Sequence, residues 1–141
     1  MAHEIYPCLW FDGNAKAAAE FYCSVFKNSR ITTDTPMVVT FELNGKKFMG
    51  LNGGPHFKFN EAVSFVVECD TQQEIDYYWG KLTADGGQES MCGWLKDKFG
   101  VSWQIVPSIL GELMSDPAKG QRVVQAFLKM KKFEIQKLLD A

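Results

Sequence analysis

The order strand, helix, hairpin is written twice in this sequence, and that repeat limits the possible folds more than any other feature. In the first half, residues 5–11, IYPCLWF, are apolar and extended in character, with Pro7 suited to the first residues of a strand or to an edge. Asn14 stands where a helix N-cap belongs, and Ala18, Phe21, Tyr22, Val25 and Phe26 recur at helical spacing over residues 15–26. Residues 37–43, MVVTFEL, and 47–52, KFMGLN, flank Asn44-Gly45, the strongest short signal for a hairpin turn. In the second half, residues 62–69, AVSFVVEC, are rich in β-branched and aromatic side chains. Thr71 and Glu74 make a T-x-x-E capping box, and Ile75, Tyr78, Trp79 and Leu82 form one helical face. Gly86 and Gly87 can end that helix in a left-handed conformation. Residues 92–107, CGWLKDKFGVSWQIVP, supply the second hairpin, turning near residues 98–100.

Laid over each other, the halves bring Phe21-Tyr22 against Tyr78-Trp79, 57 positions on, and Gly45 against Gly100, 55 positions on. NGKKFMGL then lies along FGVSWQIV, which puts Met49 opposite Gln104. The expected fold is α+β: two βαβββ modules, residues 3–54 and 60–107, followed by a helical extension at residues 108–141. A short sheet covered by a helix on one face still has its other face to bury or to line. Two such modules can set their sheets side by side and enclose a cleft. In the extension, PSILGELM reads as a short helix. Asp116 caps the next one, with Pro117 at its first position and Val123, Val124, Phe127 and Leu128 as its apolar face. FEIQKLLDA is a last amphipathic piece. Periodicity fits packing on the same chain and on a partner subunit equally well.

At 141 residues, 46% of them apolar and 13% aromatic, the chain is long enough for one globular domain with a full core. A net charge of −2 without any Lys/Arg stripe points away from nucleic acid and anionic membranes, and KMKK at residues 129–132 reads as a solvated helix end. No 18-residue apolar run exists to span a membrane, and MAHEIYPCLWFDG has neither the basic segment nor the long apolar core of a signal peptide. Cys8, Cys23, Cys69 and Cys92 follow no CxxC pattern and are expected to be reduced, mostly buried thiols of a cytoplasmic protein.

YPCLWFDGNAKAAAEFYCSVF, LNGGPHFKF and ESMCGWLKDKFGVSWQIVP closely resemble the PhnB-like branch of the vicinal-oxygen-chelate superfamily. That superfamily includes glyoxalase I, bleomycin-resistance proteins and extradiol dioxygenases. Members of the branch are often labelled 3-demethylubiquinone 3-methyltransferase. The resemblance covers almost the whole chain; residues 30–37, RITTDTPM, form a shorter loop than it leads one to expect. It implies paired modules, a central pocket and a homodimer in which modules can be shared between subunits.

In metal-dependent members four residues on inner strand faces hold a divalent ion, with His or Glu as a working set. The matching positions here fall near Pro7, Met49, Ser64 and Gln104. Proline has no donor, the thioether of methionine is soft, serine is a poor neutral ligand, and Gln104 offers only a neutral carbonyl oxygen. A one-residue slip would offer Cys8, Gly50, Phe65 or Val63, and Trp103 or Ile105, which is no better. The expectation is therefore no metal and no cofactor. Methyl transfer from S-adenosylmethionine usually uses a Gly-rich loop in a doubly wound sheet, but no GxGxxG occurs, and LNGGPHF reads as a linker between modules.

Alternation puts Ser102, Gln104 and Val106 on one face of the last strand and Trp103 and Ile105 on the other. Cys92, Trp94 and Lys96 share a face, as do Ser64, Val66 and Glu68. Gln104, Ser64 and Trp94, with Met49 opposite, are the candidates to line a small-molecule pocket. The plainer alternative makes Gln104 a structural amide and Trp94 simple core. Glu68 could act as a general base if buried, though its place near a strand end favours exposure. His3 and His56 sit in a terminus and a linker, and Lys96 and Asp97 read as hairpin surface charges. Cys92 has no neighbouring His to activate it as a nucleophile. The functional expectation is a metal-free protein that holds a small, partly apolar molecule in a cavity between its modules. The alternatives are an enzyme, either a metal-dependent lyase or isomerase or the labelled methyltransferase, and a structural dimer with a closed, dry core.

Overall fold

The computed structural model describes residues 3–141. It divides into two units, one running through Phe59 and the other from Asn60 to Ala141. The first unit contains β1 (Cys8–Phe11), α1 (Ala15–Val25), β2 (Arg30–Asp34), β3 (Val38–Leu43) and β4 (Lys46–Asn52). The sheet order is β1-β4-β3-β2, with β1 parallel to β4 and the other pairs antiparallel. Three of the four sequence-expected elements stand within two residues of their expected ends, while β1 starts three residues later than expected. The expected loop at residues 30–37 is corrected: its first five residues are β2, bonded along β3.

Small residues let α1 lie close on the sheet. Ala15, Ala18 and Ala19 are wholly buried, and a Cβ on Gly50 would stand 3.1 Å from that of Ala15. Asn44 and Gly45 both have positive φ, as a two-residue hairpin turn demands. The helix start differs from expectation. Asn14 makes no side-chain cap. The side chain of Asn52, at the end of β4, takes that role: its Oδ1 accepts from Ala15 N at 2.9 Å and its Nδ2 donates to the Pro36 carbonyl at 2.9 Å. The glycine-rich linker folds back on the first unit. Gly53 N donates to Phe11 O, Trp10 Nε1 donates to Gly54 O at 2.8 Å, and the Phe59 ring lies 5.4 Å from that of Phe11.

The second unit contains β5 (Ser64–Cys69), α2 (Gln72–Thr83), β6 (Gln88–Glu89), β7 (Trp94–Lys96) and β8 (Ser102–Pro107). Its order is β5-β8-β7-β6, the same pattern as the first sheet. The Thr71/Glu74 capping box is present, and α2 buries Ile75, Trp79 and Leu82. Gly86 has a positive φ, but against expectation it does not end α2, which stops at Thr83 with extended Ala84 as its cap; Gly87 is extended and is needed because a Cβ there would stand 2.7 Å from the Thr83 backbone. Trp79 Nε1 donates to Glu89 Oε1 at 2.7 Å, which ties α2 to the short β6.

Asp97 is not a surface charge. It is 2% exposed, and the turn at residues 97–101 wraps around its carboxylate. Oδ1 accepts from Phe99 N at 2.8 Å and Val101 N at 3.1 Å, and Oδ2 accepts from Trp103 Nε1 at 2.8 Å. Cys92 is also corrected: it precedes β7, in a left-handed turn with Gly93.

The helices α3 (Leu110–Met114), α4 (Gly120–Phe127) and α5 (Ile135–Leu139) complete the second unit. Asp116 Oδ1 accepts from Ala118 N and Lys119 N, so it caps the turn that leads into α4. Val123 is buried, but Leu128, expected on the same apolar face, is 56% exposed. The extension packs on its own chain. Cys92 N and Gly93 N donate to the carbonyls of Met130 and Lys131. The Gln72 amide donates to Phe133 O at 2.9 Å and accepts from Ile135 N at 2.8 Å. Lys132 pairs with Asp76 at 2.7 Å. Phe133 is buried, its ring set against the bare Cα of Gly93.

Candidate functional site

The second sheet has one face under α2 and one open. On the covered face Trp103 and Ile105 are 3% and 0% exposed, as the alternation predicts. The open face carries Ser64, Val66 and Glu68 from β5, Gln104 from β8, and Trp94 and Lys96 from β7. Val66 and Trp94 flank Gln104 in register. Gln104 Nε2 donates to Ser64 Oγ at 3.0 Å, so two of the sequence candidates form a direct polar pair and the third, Trp94, stands beside it. Val66 is 56% exposed, and Glu68 is exposed as well, away from the burial that would make it a base.

Toward the β6 end the surface forms a concavity of about 480 Å³. Lys96, Glu61, Gln88, Cys92, Trp94 and Ser102 are among its walls. Lys96 Nζ pairs with Glu61 Oε1 at 3.0 Å, and this lysine's hydrogen bond and charge hold the Glu61 carboxyl below its ordinary range. Ser102 is 1% exposed, and among the described residues its Oγ has no hydrogen-bond partner. Sequence reasoning placed Ser102 on this face without singling it out and read Lys96 as a surface charge. The register Lys96 opposite Ser102 across an antiparallel pair is the signal that joins them.

Met49 belongs to the face of the first sheet turned away from α1, where its Cα partners are Cys8 on β1 and Thr40 on β3. This is the topological counterpart of Gln104 between Val66 and Trp94, so the Met49–Gln104 correspondence holds. Cys8, rather than Pro7, is the residue in register with Met49. As a donor set, a thioether, a thiol, a serine hydroxyl and a neutral amide do not fit a hard or borderline divalent ion. Among the described residues no three His, Cys, Asp or Glu side chains gather where one ion could be held.

The cysteines are all free thiols; Cys69 is buried, Cys23 and Cys92 are half-buried, and Cys8 is exposed, against the expectation of mostly buried thiols. Burial, reinforced by the charges of Glu74 and Asp70, pushes the Cys69 thiol up to about 12. At pH 8 a disulfide reagent is expected to modify Cys8 readily and Cys69 only after denaturation, as peptide mapping would read. The unfolded chain ionises Cys69 from about pH 9 and the folded chain does not, so stability is expected to fall as pH climbs from 9 toward 12.

Two four-stranded sheets of identical order, each backed by one helix, define a duplicated βαβββ protein of the glyoxalase type. Residues 3–106 match the family described as 3-demethylubiquinone-9 3-methyltransferase. The chain belongs to that family, the PhnB-like branch of the glyoxalase/bleomycin-resistance superfamily. Among solved structures it is similar to a putative 3-demethylubiquinone-9 3-methyltransferase, PhnB protein, from Bacillus cereus. That match has 34% identity and a TM-score of 0.68, and covers 75% of this chain and 100% of the other. A glyoxalase-related enzyme from Fulvimarina pelagi shares the fold at 16% identity and TM-score 0.57, covering 77% of this chain and 91% of that one. A glyoxalase/bleomycin resistance protein from Albidiferax ferrireducens T118 does so at 12% identity and TM-score 0.54, covering 75% and 98%. No curated protein matches the sequence. Among the described residues no helix is long and apolar enough to cross a membrane.

Proposed function

We propose that this chain is a metal-free binding member of its family, which takes a small, partly apolar molecule on the open face of its second sheet. The observation that carries this reading is the Gln104–Ser64 pair at 3.0 Å, set beside Trp94 and the exposed Val66. An amide and a hydroxyl next to an aromatic ring and an aliphatic surface suit a small ligand with one polar edge. Such binding needs shape and hydrogen bonds but no acid, base or metal. The absence of a fitting donor set supports the metal-free part. Homodimerisation and a cytoplasmic location belong to the same proposal. The dimer rests on the family resemblance, and the location on four unpaired cysteines, which suit a reducing compartment. Sizing is expected to give twice the 15.9 kDa chain mass.

The test is a thermal-shift screen of small aromatic compounds on the purified protein, with metal analysis of the same sample. A ligand that raises the midpoint is expected to bind about tenfold more weakly to Gln104→Ala, the loss of about one good hydrogen bond. Stoichiometric zinc, manganese, nickel or iron, with function lost to chelator, would favour the metal-dependent lyase or isomerase instead. Turnover of a demethylubiquinone would favour the methyltransferase of the family's label.

A further inference from the structure

The described residues place one buried hydroxyl without a partner, that of Ser102, in the wall of the second unit's concavity. Unpaired buried polar atoms are rare in folded proteins, because each forfeits the bond it made to water. Lys96 is the register partner of Ser102 on β7, so their side chains rise from the same face at adjacent positions. The lysine's present partner, Glu61, sits in the turn before β5, with its side chain 63% exposed. Trp94, two residues before Lys96, offers a half-buried indole on the same face.

We propose that Lys96 and Ser102 form a subsite for the carboxylate of a small aromatic acid, with the carboxylate of Glu61 standing in the ligand's place. The proposal rests on reading the open face as a ligand site, and it names the ligand's charge. A ligand carboxylate would take the lysine from Glu61 in a near-even exchange, because the exposed Glu61 side chain returns to water at little cost. The net gain comes from what Glu61 does not supply: an acceptor for the Ser102 hydroxyl and an apolar body over Trp94. Among the described residues Lys96 is the one cation in this wall, alongside Glu61 and Glu89. A dianion would meet too little positive charge there, and an amine would bring a second cation beside Lys96.

The test is an NMR titration of the full chain with benzoate, benzyl alcohol and benzylamine, following the indole and backbone signals of Trp94 and Gln104. Benzoate is expected to bind about threefold more tightly than benzyl alcohol, because a carboxylate held by Lys96 is the stronger acceptor for the Ser102 hydroxyl. Ser102→Ala should weaken benzoate binding about tenfold without lowering the unfolding midpoint, because no internal bond is lost. Lys96→Met should abolish the preference for benzoate, and Glu61→Gln should tighten benzoate about threefold by freeing the lysine. Equal binding of benzoate and benzyl alcohol, or tighter binding of benzylamine, would overturn the carboxylate subsite and leave the open-face site standing. So would Glu61→Gln and Ser102→Ala variants that bind benzoate as the parent does. If none of the three probes shifts Trp94 or Gln104, the subsite and the open-face reading both fall.

Discussion

Replacing Asp97 with alanine is expected to lower stability by about 3–4 kcal/mol, a drop in melting midpoint of roughly 10 °C. One carboxylate accepts from two backbone amides of its own turn and from the Trp103 indole. Alanine leaves all three donors without that acceptor in a site that is 2% exposed. Trp103 then loses the bond that fixes its ring under α2, where it lies 5.4 Å from Phe65. Asparagine should cost about half as much. Its carbonyl can still serve the two backbone amides, but its NH₂ would face the indole N–H, donor against donor. Denaturant unfolding of the two variants, read by tryptophan emission, checks both the size and the order of the losses. An alanine variant within 1 kcal/mol of the parent would show that the turn holds its shape without the carboxylate.

Gly93→Ala is expected to cost about 3 kcal/mol for a different reason. The residue has φ +79°, and a Cβ there would stand 2.4 Å from the Phe133 ring and 2.8 Å from the Ile105 carbonyl. The carbonyl is backbone and cannot swing away, so the added methyl must push the turn, the C-terminal segment, or both. Hydrogen exchange should then show faster exchange at Cys92 and at residue 93, whose amides bond to Met130 and Lys131. Protection of the β5–β8 pair should change less. If protection fell evenly across the whole second unit, the tail would be too tightly coupled to the sheet to loosen by itself.

These positions also show where sequence reasoning stops. Strands with apolar alternation or β-branched runs, and helices with a clear stripe, could be read from the sequence, because burial of one face leaves a periodic mark. The outer strands β2 and β6 left no such mark: RITTD is almost wholly exposed, and QE is only two residues long. Asp97 was misread because an acidic residue in a hairpin turn is ordinarily solvated. The clue was its spacing from Gly100 and Trp103, which a wrapped turn brings onto one carboxylate. Asn52 and Gln72 act across 37 and more than 60 residues, and no local pattern encodes such a partnership. At the candidate site, alternation alone put Gln104, Ser64 and Trp94 on one face. Pairing Lys96 with Ser102 required the register between β7 and β8, which depends on how many residues the turn consumes.

Among the described residues, the tail held by Gln72 and by the Cys92–Gly93 amides has no counterpart in the first half. Duplication therefore does not mark where the molecule can be cut. A fragment ending at Pro107 would carry the whole strand–helix–strand pattern and still lack the segment that accepts from the Cys92 and Gly93 amides just ahead of β7. The repeated pattern and the compact unit therefore do not coincide: the pattern closes with β8, while the unit runs on from Asn60 to Ala141.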